Sequence, residues 1–106
     1  MGCFVIDLKE ARRLVYEFFR TLTSSNEDPS DLASREDMTR DESFGWVFFW
    51  DDRRYIETGD DLYSIEGNLP LVVLRKTGQV MYLPGNWWEQ DLDSRIKAFA
   101  ASLAKT

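Results

Sequence analysis

The run Phe44, Gly45, Trp46, Val47, Phe48, Phe49 and Trp50 constrains the fold more than any other part of the chain. In an extended strand successive side chains point to opposite faces. One face then carries Phe44, Trp46, Phe48 and Trp50, and the other carries Gly45, Val47 and Phe49. Neither face suits water, so this strand is expected near the middle of a sheet, covered at least in part on each side. With 106 residues, 43% of them hydrophobic and 14% aromatic, the chain has material for a core without disulfide staples. It is expected to form a single domain over residues 1–106.

Two helices flank the aromatic strand. Leu8, Ala11, Leu14, Val15, Phe18, Phe19 and Leu22 recur at spacings of three and four, the signature of an amphipathic helix ending near residues 21–24. Asp7 is placed to cap its first turn, and Glu10 to reach back in a capping box. At the other end Asp91 is expected to cap a closing helix with the stripe Leu92, Ile96, Phe99, Ala100 and Leu103. Residues 71–74 and 79–83 are apolar and β-branched around Lys76-Thr77-Gly78, which predicts a hairpin. Asp51-Asp52-Arg53 is read as a turn, residues 54–58 as a returning strand, and residues 62–65 as a short extended piece. Residues 23–43 carry seven carboxylates against two arginines and few apolar anchors. They are read as a polar connection with one or two helical turns, Pro29 opening a short helix over residues 30–37. The resulting class is α+β: an N-terminal amphipathic helix, an acidic connection, an antiparallel meander of about four strands, and a C-terminal helix, with the helices laid on one sheet face.

Chemistry-bearing residues are sparse. There is no histidine, which removes the usual general base and most zinc sites. The single cysteine, Cys3, has no visible group to activate it and cannot form an internal disulfide. No glycine-rich phosphate loop and no calcium-loop spacing occurs. The adjacent pairs Asp51-Asp52 and Asp60-Asp61, with Asp91 and Asp93, are the remaining candidates for acid–base work. Aspartates so placed ordinarily build turns and caps. No catalytic residue, cofactor or metal is therefore expected, and a carboxylate-based hydrolase is the weakest reading.

Binding is the better-supported class. The formal net charge of −6 argues against nucleic acid and anionic membranes, both of which attract basic surfaces. It favours a protein partner with a basic surface. No secretory signal or membrane-spanning stretch is read from the sequence, so a cytoplasmic monomer or weak homodimer is expected. The residues singled out for partner binding are Glu27, Asp28, Asp31, Glu36, Asp37, Asp51, Asp52, Asp60, Asp61, Trp87 and Trp88. The two tryptophans either both bury under the closing helix or leave one indole outside as an anchor.

The order of motifs resembles one family. Residues 45–50, then Tyr55-Ile56-Glu57-Thr58-Gly59, then Gly67-Asn68-Leu69-Pro70 leading into Leu71-Val72-Val73, then Lys76-Thr77-Gly78-Gln79-Val80 look like the immunity protein 35 (YrhB-like) family of bacterial polymorphic toxin systems. The flanking helices fit the same layout, so the resemblance covers most of the chain, although residues 23–43 add nothing to it. It implies a partner that is a cognate toxin, neutralised by binding, and it implies no catalytic residues. A chaperone-like binder of client proteins is the competing reading, and it needs exposed apolar surface.

Overall fold

A computed structural model describes residues 5–22, 31–65, 69–84 and 91–104. The first helix, α1 (Leu8–Leu22), starts where Asp7 Oδ1 accepts a hydrogen bond from the Glu10 backbone N–H at 2.9 Å. The reciprocal half of the expected capping box does not form. Glu10 turns forward to grip the Arg13 guanidinium at 2.7–2.8 Å, a charged partner outcompeting a backbone amide. The apolar face behaves as its spacing predicts, with Ala11, Val15 and Phe19 fully buried.

Four strands, β2 (Arg40–Glu42), β3 (Gly45–Phe48), β5 (Leu71–Leu74) and β6 (Val80–Tyr82), form one antiparallel sheet in the order β2-β3-β5-β6. Register places Trp46 opposite Val73 and Phe48 opposite Leu71 on one face, and Val47 opposite Val72 on the other. The first face packs with Ile6, Val15 and Phe19 under α1. The second packs with Leu83, Ile96 and Phe99, the last two from α3 (Leu92–Ala104). The helices thus cover opposite faces of the sheet, not one face as the element order suggested. β3 is apolar on both sides because it serves both cores, and all four of its residues are buried. Gly45 is required where β3 begins: its φ is 153°, and a Cβ there would overlap the Val73 carbonyl oxygen.

The expected β5–β6 hairpin forms, and so does the closing helix, with Asp91 Oδ1 accepting from the Ser94 N–H at 2.7 Å. One residue of α3 departs from the stripe. Arg95 is 1% exposed and donates to the Leu83 and Pro84 carbonyls at 3.2 and 3.3 Å. Those carbonyls follow β6 and have no strand to pair them among the described residues, and the long Arg stem lets the guanidinium reach them through the core.

The middle of the chain differs most from expectation. The aromatic run splits at Phe49, and β4 (Trp50–Asp52) leaves the main sheet to pair antiparallel with β1 (Leu32–Ser34) as a second, two-stranded sheet. Residues 32–34 are therefore strand where a helix over 30–37 was expected, with only a 3-10 turn at Glu36–Met38. Asp51 and Asp52 lie in β4, not in a turn. Residues 54–58, read as a strand from Tyr55, Ile56 and Thr58, lie in a helix, α2 (Arg53–Thr58). Asp52 caps it by accepting from the Arg54 N–H at 2.8 Å, and Gly59 closes it in the left-handed region at φ 75°. The extended piece expected at residues 62–65 begins with a 3-10 turn, Asp61–Tyr63, capped by Asp60.

Candidate functional site

The corner built by β1, β4, α2 and the Asp61–Tyr63 turn gathers most of the carboxylates singled out in the sequence. Asp52 is nearly buried, and the Arg54 guanidinium grips it at 3.0 and 2.7 Å. That hydrogen-bonded cation holds the Asp52 carboxyl below the usual carboxylate range, with burial pulling the other way. Arg54 also lies 4.3 Å from the centre of the Tyr63 ring, so one side chain ties the start of α2 to the turn that follows it. Asp31 sits 3.9 Å from both Arg53 and Arg54. Asp51 Oδ1 accepts from the N–H groups of Asp52 at 2.7 Å and Ile65 at 2.9 Å, pinning the exit of the turn to β4.

The other candidates divide by role. Asp60 is exposed and caps the turn through the Leu62 N–H at 3.0 Å. Asp61 and Asp37 are exposed, with no cation within ion-pair distance among the described residues. Glu36 is bound by Arg12 of α1 at 3.0 and 3.1 Å. Glu27, Asp28, Trp87 and Trp88 lie outside the described residues. Asp31, Asp51 and Asp52 thus come together, Asp60 and Asp61 follow within one turn, and Glu36 and Asp37 lie in the 3-10 turn after β1, with Glu36 tied to α1 through Arg12. Residues 31–65 hold ten carboxylates against four arginines, so the region is strongly negative although several of its carboxylates have partners.

Between these elements runs a groove of about 240 Å³. Strand alternation lays its floor. Leu32 and Trp50 point into the core under α1, while Arg35, Phe49 and Asp51 fall on the opposite side. Tyr55 of α2, Met38 and Pro70 wall it. The sequence did not mark Arg35, Met38 or Tyr55 as site residues, since each is an ordinary residue whose position depends on the unforeseen β1–β4 pairing. Leu62 was missed as well: it projects from the acidic turn at 85% exposure. Among the described residues no group of three or more His, Cys, Asp or Glu side chains is arranged to hold a metal, and no helix is long and apolar enough to cross a membrane.

Comparison with known families supplies the deciding observation: the model of immunity protein 35 matches residues 9–92. The chain belongs to the immunity protein 35 family. The span typical of immunity protein 35 runs from the first turn of α1 to the first residue of α3, so it contains both sheets and the whole acidic corner. Most of α3 lies beyond it. No curated protein and no solved structure matches the chain.

Proposed function

We propose that this chain is an immunity protein that binds a cognate bacterial toxin and neutralises it stoichiometrically, by surface complementarity and without a chemical step. Membership of the immunity protein 35 family carries this reading. The charge distribution supports it: the carboxylates of residues 31–65 suit a toxin with a basic surface. The exposed Asp37 and Asp61 are the charges best placed to steer such a partner, whereas Asp51, Asp52 and Asp60 hold the corner in shape. Asp31 and Glu36 contribute field while already paired with arginine.

Co-expression with the toxin encoded beside it is expected to restore growth, and the two purified proteins to form a one-to-one complex. A neighbouring toxin that kills regardless, and passes the immobilised chain without binding, overturns the proposal. Reversing Asp37 and Asp61 together to Lys is expected to slow association at low salt far more than it speeds dissociation. An unchanged association rate would remove these charges from the encounter.

A further inference from the structure

Arg35 is placed unusually for a charged side chain. Among the described residues its buried Nε donates to nothing, and no carboxylate lies within ion-pair distance of it. A buried donor left without an acceptor destabilises the fold by the desolvation it has suffered, so such groups are rare unless something later satisfies them. Arg35 is partly exposed overall and lines the groove described above, so a modest swing of its side chain brings Nε to an incoming acceptor. On the same floor stands Asp51. Its Oδ1 is occupied by two backbone N–H groups, and its Oδ2 accepts no hydrogen bond among the described residues. Phe49, Tyr55, Met38 and Pro70 supply apolar walls beside this donor and acceptor.

A donor and an acceptor side by side, flanked by aromatic and aliphatic surface, suit a peptide unit with its side chain. The volume agrees: about 240 Å³ is below the ~300–1,000 Å³ of small-molecule sites and fits a short protein segment better than a cofactor. A wider depression of about 400 Å³ beside Phe44, Leu74 and Leu103 has no buried unsatisfied polar group among its lining residues, so it lacks the feature that marks the first. Charge narrows the occupant further. Asp37 adjoins Met38 in sequence, and the acidic Asp60–Asp61 stretch leads towards Ser64 at the groove wall, so basic residues on either side of the inserted segment would be favoured.

We propose that the groove between the two-stranded sheet and α2 receives a loop of the toxin, whose backbone carbonyl accepts from Arg35 Nε and whose backbone N–H donates to Asp51, with an apolar side chain against Phe49 and Tyr55 and basic residues flanking it. This rests on the toxin-binding function proposed above and assigns it a surface and a recognition chemistry.

The test uses the full chain and the toxin encoded beside it, with Arg35→Met, Tyr55→Ala and, as a control on the solvent face of α1, Glu17→Ala. Arg35→Met keeps the stem and removes the donor. It is expected to weaken the complex by roughly tenfold to a hundredfold, mostly through faster dissociation. Its thermal midpoint should be unchanged or higher, because an unsatisfied buried donor has been removed. Tyr55→Ala should weaken binding likewise, and Glu17→Ala should leave it alone. If the wild-type chain fails to bind the toxin, the functional proposal and this one fall together. If it binds and both groove variants bind equally well, the groove alone is overturned. Should Arg35→Met unfold, Arg35→Lys, which keeps the charge but lacks a donor at the Nε position, is expected to show the same loss of affinity in a folded protein; full affinity in that variant would also refute the groove.

Discussion

α1 and the acidic corner are held by different forces. Along α1, Ala11, Val15 and Phe19 are removed completely from water, and one side-chain cap at Asp7 suffices to start the helix. Burial of this kind stabilises by roughly 1.5–3 kcal/mol for each large apolar side chain. In the corner neither α2 nor the Asp61–Tyr63 turn buries a single residue. Their shape comes from carboxylates bonded to backbone N–H groups: Asp51 to Asp52 and Ile65, Asp52 to Arg54, Asp60 to Leu62. The corner's aspartates therefore supply shape and negative charge at once. Removing one changes both, and this must be separated in any binding experiment.

The contrast is sharpest for Phe19→Ala. Phe19 sits in the core with its ring 5.5 Å from that of Trp50, so truncation should cost about 3–5 kcal/mol in a denaturant titration. A loss as small as that of a corner variant would mean that α1 is not anchored by burial. Asp52→Ala is the matching change in the corner, expected to cost about 0.5–2 kcal/mol for the lost cap. Its pH dependence identifies the cause. Arg54 depresses the folded-state pKa of Asp52, so the contribution is complete above the unfolded value, about 3.9, and fades as pH falls through the lower folded value. The stability gap between wild type and Asp52→Ala should accordingly narrow in acid. A gap independent of pH would assign the effect to packing.

The same division explains what the sequence made legible. Fifteen residues of α1 repeat one spacing, and β5 and β6 flank a glycine turn, so the pattern is redundant enough to survive any single exception. β1, β4, α2 and the 3-10 turns are three to six residues long, too short for a period to declare itself. Tyr55, Ile56 and Thr58 favour a strand by propensity, yet Asp52 and Gly59 bracket them as cap and stop and prevail. That bracket was present in the sequence and was outweighed by the β-branched residues. The β1–β4 pairing was not legible at all, because it joins a polar segment to the end of an aromatic run 16–20 residues away in register. Since the groove rests on that pairing, Arg35, Met38 and Tyr55 were hidden with it.

Gly59→Ala probes the bracket itself. At φ 75° an alanine is strained although the space around it is open, so the cost should be about 1 kcal/mol and confined to backbone conformation. Gly59→Asn should recover part of it, as asparagine tolerates the left-handed region better than alanine. Equal losses in the two variants would point to a side-chain clash in place of backbone strain.

The smallest effect belongs to Leu62→Ser. At 85% exposure Leu62 has almost no burial to lose, and the backbone N–H that Asp60 caps is retained in the variant. The folding free energy should move by no more than about 0.5 kcal/mol in a denaturant titration. A larger change would show that the turn packs against something and would blur the distinction between a core held by burial and a corner held by polar bonds. With stability unchanged, the variant becomes the cleanest probe of the acidic corner, since it alters neither charge nor cap. A drop in its affinity for the toxin then places Leu62 in the interface, free of the paired changes of shape and charge that follow from replacing Asp51, Asp52 or Asp60.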